Sequence, residues 1–348
     1  MKKTNEKMSK SIVAIVKVRD GVIDAVRAAM ELAKWKDFIP SGAAVAVKPN
    51  LGWDLFFPGA VTSPWVVEGV IQALKEHVKK IYVVEAGQIL VDVEKSVRQT
   101  GIYDLCRKYG VEWVNMSKGG FKTVRIDNGL ILKEVMVPEI LTRTILLTVP
   151  VIKTHGKTTI TGSIKNQWGC LPEFRHNYHP VVNDVLVDIN LATKPRFTVV
   201  DGTICMEGNG PKSGRPKVLD LVMASGDIVA ADATQARVMG FDPAMIKSIT
   251  NCARAGLGRY DRADILIRGE AIETVKSNFL PARHNAVSLV ESLLRKNGLL
   301  RAVVFSTFIL KICCWGALLW YDIWYNLGPG KRLRDRILKN SRYGGQWA

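Results

Sequence analysis

The residue types best suited to chemistry fall into three short groups. The first is Lys153-Thr154-His155-Gly156, which continues through a Thr/Gly-rich stretch to Gly162-Ser163-Ile164-Lys165-Asn166. The second is Lys48-Pro49-Asn50. The third is Asp201-Gly202 followed by Glu207-Gly208-Asn209-Gly210-Pro211. Lysines hold anionic oxygens as compact point charges, so Lys48, Lys153 and Lys165 are expected to take an anion. Asn50, Asn166 and Asn209 can donate and accept hydrogen bonds and so fix a ligand's orientation. His155 is the natural general acid–base, because its unperturbed pKa lies nearest neutrality. Lys153 and Asp201 are expected beside it in the reacting centre, and Glu207 completes the set or, with Asp201, holds a metal.

A divalent metal is a further candidate. His176 and His179, with Asp201 or Glu207, are suitable ligands, although two histidines three apart in an irregular loop are a weaker pattern than H-E-x-x-H on a helix. The stretch Gly208 to Gly214 invites a dinucleotide-fingerprint reading, but strand-like residues follow it where a helix is needed; a loop or lid over the site fits better. None of the six cysteines forms a C-x-x-C pair, so no iron–sulfur cluster is expected in this chain. Their scatter is that of reduced cytosolic thiols.

The elements that must position these groups alternate as strand, helix, strand. Ser11–Val18, Gly42–Asn50, Ile81–Gly87, Thr144–Ile152 and Arg196–Gly202 read as strands, with helices at Asp24–Trp35, from Pro64 to about Lys79, and at Val182–Ala192. Thr62 or Ser63 precedes Pro64 as a helix cap, and the amide groups there suit a phosphate or carboxylate, which makes Ser63 a substrate-binding candidate. Phe121–Ile126 and Ile131–Val137 alternate across Asp127-Asn128-Gly129, a hairpin signal. The expected fold is α/β: a mostly parallel, mixed sheet with helices on both faces, an antiparallel hairpin insertion and a carboxyl-terminal hydrophobic helix. Open sheets of this kind place ligands at the carboxyl ends of their strands, where the three groups lie. Residues 1–280 are expected to form the α/β domain and 281–348 a tail.

Taken in combination and order, Lys48-Pro49-Asn50, Thr62-Ser63-Pro64, Lys153 to Gly156, Gly162 to Asn166, Asp201-Gly202, Glu207 to Pro211 and the segment Asp227…Asp232…Met239-Gly240 resemble the family known as the domain of unknown function numbered 362, over residues 12–270. Members are often joined to ferredoxin-like iron–sulfur modules. This chain has none, so the resemblance implies at most a separate ferredoxin-like protein as partner, and it brings no established reaction.

The chain is strongly basic, at +17, and its last 68 residues hold 11 Lys/Arg against 3 Asp/Glu. Ala302–Tyr321 contains a single charge, Lys311, and Trp315, Trp320, Tyr321, Trp324 and Tyr325 crowd its far half and the residues just beyond. Basic residues flank it on both sides, whereas a spanning helix leaves its positive excess on one. A helix lying in, or re-entering, an anionic cytoplasmic leaflet satisfies both features, with a single-pass tail anchor as the alternative. Aromatic and basic residues are segregated rather than interleaved, so no nucleic acid is expected as partner. These readings combine into a cytoplasmic, membrane-associated enzyme for a small anionic or lipid-linked substrate. A non-catalytic accessory or redox-partner protein is the rival.

Overall fold

The computed structural model describes residues 10–282 and 307–347. Its centre is a mixed sheet in the order β12-β1-β11-β10-β7-β2-β3-β4. The strands are β1 (Ser11–Lys17), β2 (Ala44–Pro49), β3 (Lys80–Glu85), β4 (Glu112–Asn115), β7 (Ile145–Val149), β10 (Phe197–Glu207), β11 (Arg215–Ser225) and β12 (Ile265–Gly269). Only β11 runs against its neighbours in that path, so the other strands end at one common edge. Two further strands, β8 (Val151–His155) and β9 (Thr159–Thr161), extend it beyond β7. The separate hairpin is β5 (Phe121–Arg125) with β6 (Glu134–Pro138).

Successive strand residues face opposite sides and feed two cores, as the two-residue period of a strand requires. In β2, Val45 and Val47 enter one cluster and Ala46 the other; in β1, Ala14 is divided in the same way from Val13 and Ile15. The first cluster packs the helices α1 (Val22–Leu32), α2 (Pro64–Leu74), α3 (Val93–Gln99) and α4 (Ile102–Tyr109); the second packs α7 (Val182–Thr193), α8 (Ile228–Val238) and α9 (Lys247–Arg254). Helices therefore cover both faces, as the alternation in the sequence implies. Gly101, at φ 75°, separates α3 from α4 where a continuous helix would otherwise run.

Two local readings need correction. The apolar run from Thr144 is two strands, because Pro150 has no amide to pair and divides β7 from β8. Lys153 and His155 therefore lie within β8. In the hairpin, pairing resumes only at Glu134, because the buried carboxylate of Asp188 on α7 accepts the amides of Leu130, Ile131 and Leu132 at 2.6–2.9 Å and holds them as a wide loop.

The carboxyl-terminal residues pack against the same cluster as α1 and α2. Tyr325 and Tyr343 are buried there, with Tyr321, Trp324, Leu333, Ile337 and Trp347 around them. The helix Thr307–Asn326 is followed by Gly330–Asn340. Among the described residues, no helix is long and apolar enough to cross a membrane. The first part of the expected Ala302–Tyr321 window, residues 302–306, lies outside the described residues.

Candidate functional site

The carboxyl edge gathers four of the expected residues into one hydrogen-bonded group. Lys153, at 2% exposure, donates from Nζ to Asn50 Oδ1 at 2.7 Å and to the carbonyl of Ala60 at 2.8 Å. Asn50 Nδ2 in turn donates to Asn166 Oδ1 at 3.1 Å, and Asn166 Nδ2 donates to Thr148 Oγ1 at 2.8 Å and to the Lys48 carbonyl at 3.1 Å. Asn166 reaches this point because the short helix α6 (Ser163–Asn166) begins where the amides of Ser163 and Ile164 meet the carboxylate of Asp232 on α8. Gly162 lies against that carboxylate so closely that a Cβ would overlap it.

Lys48 is neutralised: its ammonium lies 2.8 Å from Glu85 Oε2, with both side chains almost wholly buried. Gly169 passes directly over this pair, and a Cβ there would meet Glu85 Oε1 at 2.5 Å and Lys48 Nζ at 2.8 Å. Lys48 thus serves as a fixed part of the floor.

The remaining cations are different. Burial, followed by the charges of Lys165 and Lys212, pushes Lys153 down to about 7. Burial and the charges of Arg175, Lys157 and Lys48 push Lys165 down to about 8, and burial pushes Lys212 to about 8. Lys165 lies over the ring of Trp168, 5.7 Å from its centroid, while Lys212 donates to the Leu90 carbonyl at 3.3 Å and faces the Tyr321 ring at 5.1 Å. No carboxylate within salt-bridge distance of these three lysines is found among the described residues. Arg175, 1% exposed, adds a further charge nearby, donating to the carbonyls of Leu171 and Gly87.

His155 is half-buried beside this cluster. Its Nδ1 accepts the amides of Lys157 at 3.0 Å and Thr158 at 3.4 Å, so the ring proton resides on Nε2. Burial, then Lys165, His179 and Lys153, hold it well below its ordinary pKa. A neutral imidazole with its acceptor nitrogen occupied can act only as a hydrogen-bond donor. His179 stacks on Trp168 at 5.7 Å.

The acidic candidates are committed elsewhere. Asp201, 1% exposed, accepts the Ser63 amide at 2.8 Å, the Thr203 amide at 3.0 Å and the Thr203 hydroxyl at 2.6 Å. Burial raises its pKa against those bonds and against nearby Lys153. Ser63, at the start of α2, spends its hydroxyl on Gln346 Oε1, which also receives the Trp65 amide at 3.4 Å. The chain's own Asp201 and Gln346 thus fill the helix end that the sequence suggested for an anion. Glu207 lies 3.0 Å from Lys217 and accepts the Leu280 amide at 3.2 Å; Asn209 is exposed, its carbonyl accepting from Ser213. Among the described residues no three His, Cys, Asp or Glu side chains converge as metal ligands, and the side chain of His176 lies outside that description.

Glu85, Arg175 and Lys212 were not singled out by their spacing. Glu85 had a readable signal: it ends a parallel strand beside the one that ends in Lys48. Arg175 and Lys212 arrive on irregular segments and had none.

Tyr321, Trp324 and Tyr325 of the carboxyl-terminal helix pack on Trp53 with ring centroids 5.8–6.1 Å apart, Trp324 also packs on Phe57, and Tyr325 donates to the Phe56 carbonyl at 2.7 Å. Together with the Lys212–Tyr321 and Ser63–Gln346 contacts, these place the tail over one side of the cationic group.

The chain is similar to the thylakoid-associated protein sll1697 of Synechocystis sp., at 26% identity over 231 residues, covering 64% of this chain and 70% of that protein. Among solved structures, the lactate racemase apoprotein of Thermoanaerobacterium thermosaccharolyticum superposes with a TM-score of 0.42 at 12% identity, over 67% of this chain and 57% of that one. A Thermotoga maritima protein does so at 0.31 and 13%, over 53% and 50%. The Domain of unknown function (DUF362) family matches residues 45–237, a span that carries Lys48, Asn50, Lys153, Lys165, Asn166, Asp201 and Lys212 and exceeds half of the chain, so the chain belongs to that family.

Proposed function

We propose that this protein is a membrane-peripheral enzyme that holds a small anionic or lipid-linked substrate at the carboxyl edge of its sheet, with Lys153 as the group that exchanges a proton. One observation carries the reading: Lys153 and Lys212 are buried and Lys165 half-buried with no carboxylate at salt-bridge distance among the described residues, and each is pushed well below the ordinary lysine value of 10.5. Buried charges are normally paired, and an excess of one sign is the signature of a site completed by its ligand. Near pH 7 a neutral Lys153 amine would use its two N–H bonds on Asn50 Oδ1 and the Ala60 carbonyl, leaving its lone pair to take a proton from a bound molecule. Lys165 and Lys212 would hold the substrate's anionic oxygens, and His155 Nε2–H would donate to another. Asn50 and Asn166 fix the direction of the Lys153 amine.

The membrane half of the reading rests on the outer face of the carboxyl-terminal helix. Trp315, Leu319, Ile323 and Leu327 follow one another at four-residue steps and are all exposed, from 42% to 80%, with Trp320 beside them. Residues four apart share one face of a helix, so this is a continuous apolar ridge. Exposed Lys331, Arg332, Arg336 and Lys339 follow in the next helix. An apolar ridge beside basic side chains suits an anionic bilayer surface. The thylakoid association named for the Synechocystis relative is consistent with it.

Mass spectrometry of small molecules carried by the purified full chain tests the site. An anionic compound should accompany the wild type and be lost from a Lys165→Met/Lys212→Met variant; equal retention by both would overturn the assignment.

A further inference from the structure

A second feature lies at the β12 end of the strand order. A depression of about 420 Å³ opens there, between the end of α8 and the residues that follow β12. Three cations line it: Arg237 from the last turn of α8, Arg262, and Lys276. Arg237 Nη2 donates to the Tyr260 carbonyl at 2.7 Å, but Nη1 is buried and has no hydrogen-bond partner among the described residues. Leaving a buried donor of a charged group unsatisfied forfeits its hydration without return, and such orphans are few in native proteins. Burial, with Arg262 repelling it, also lowers Arg237 below its ordinary value, despite Asp242 and Asp261 nearby. Arg262 uses one nitrogen on the Ile265 carbonyl at 3.1 Å, and its side chain and that of Lys276 are exposed.

The other walls describe the rest of the ligand. Phe241 and Ile272 supply apolar surface, while Asp242 and Glu273 supply acceptors on the rim. The volume is that of an ordinary small-molecule cleft, about 300–1,000 Å³. It lies beside α8 at the edge strand β12, with Arg262 before that strand and Ile272, Glu273 and Lys276 after it.

We propose that this depression is a second anion site, taking a small phosphate monoester that carries hydroxyl groups. The phosphate lies on Arg237, Arg262 and Lys276, Nη1 of Arg237 receiving the acceptor it lacks, and the hydroxyls donate to Asp242 and Glu273. Arginine is the residue suited to such a group, since its planar fork meets two phosphate oxygens at once. This site is independent of the lysine cluster.

Calorimetric titration of the full chain with a hexose 6-phosphate tests it, comparing wild type, Arg262→Ala/Lys276→Ala and Lys165→Met/Lys212→Met. Arg262 and Lys276 are exposed, so the first variant keeps the fold, which a thermal melt verifies. The expected result is that Arg262→Ala/Lys276→Ala loses one binding equivalent, or at least tenfold in its affinity, while the lysine variant keeps that equivalent. At about pH 8, above the second ionisation of a phosphate monoester at about 6, its heat should be nearly the same in buffers of different ionisation enthalpy, because neither the dianion nor arginine titrates there. Unchanged stoichiometry and affinity in Arg262→Ala/Lys276→Ala, or no binding by the wild type, would overturn the proposal. Loss of all binding from the lysine variant alone would also overturn it, while leaving the lysine-cluster reading intact.

Discussion

Binding of an anion to the lysine cluster should draw protons from solution, and the amount follows from the three displaced lysines. At about pH 8, Lys153 at about 7 is mostly neutral, while Lys165 and Lys212 at about 8 are half-charged. A bound dianion favours the ammonium form of each and raises its pKa. Saturating sulfate, which does not itself titrate in this range, should therefore bring in up to about two protons per anion. The sign is fixed by linkage: because the complex binds more protons than the free protein, affinity falls as pH rises. With about two protons taken up, the loss is one to two orders of magnitude for each pH unit near pH 8, and it vanishes below about pH 6, where all three are already charged. Calorimetry in two buffers of different ionisation enthalpy measures the uptake directly. Lys165→Met should reduce it by more than that residue's own share, since Lys165 is the largest charge lowering Lys153. A buffer-independent heat with an affinity flat from about pH 6 to about pH 9 would refute the cationic-site reasoning.

Other consequences can be measured separately. Without an anion, the same lysines make the unfolded chain the better proton binder between about 7 and their ordinary value of 10.5, so stability should rise with pH from 7 upward. Thermal melts should show that rise, and saturating sulfate should flatten it. Glu85→Gln leaves the Lys48 ammonium buried without its carboxylate and should cost about 3–5 kcal/mol in urea unfolding; a loss below about 1 kcal/mol would show the pair to be unimportant. Trp315→Glu/Leu319→Glu, at exposed positions, should leave the melting temperature unchanged but reduce flotation with anionic vesicles at least tenfold, since each large apolar side chain contributes about 1.5–3 kcal/mol when buried. Equal partitioning of the full chain and a truncation before Leu299 would remove the membrane reading altogether.

The framework of the site was legible because its signals are local. Apolar strands that run into Lys48-Pro49 or through Asp201-Gly202, with helices between them, fix a parallel order and so a common edge. Pairing between distant residues was not legible. Lys48 finds Glu85 37 positions away, and Asp201 finds the Ser63 amide 138 positions away, so the sequence could not show that one lysine is neutralised and one acid spent. The Asn128-Gly129 signal located the hairpin but missed the width of its loop, which Asp188 sets from a different helix. The apolar, aromatic character of the tail was likewise evident. Which of its faces is buried depends on Trp53 and Phe57 of the body, which no periodicity within the tail reveals.

These long-range pairings decide what kind of site remains. Had Asp201 and Glu207 faced the lysines, the edge would have been a balanced network with little reason to bind an anion. Asp201 instead fixes the start of α2, and Glu207 is drawn off by Lys217, so neither makes an ion pair with Lys153, Lys165 or Lys212 among the described residues. Ser63 joins this arrangement to the tail: its amide is held by Asp201 and its hydroxyl by Gln346. A shift of the carboxyl-terminal residues away from the body would release the Ser63 hydroxyl and uncover the Lys212 ammonium together. The helix that presents the apolar ridge also places Tyr321 against Lys212 and Trp324 on Trp53, so a surface that engaged the ridge would act on one side of the proposed anion site.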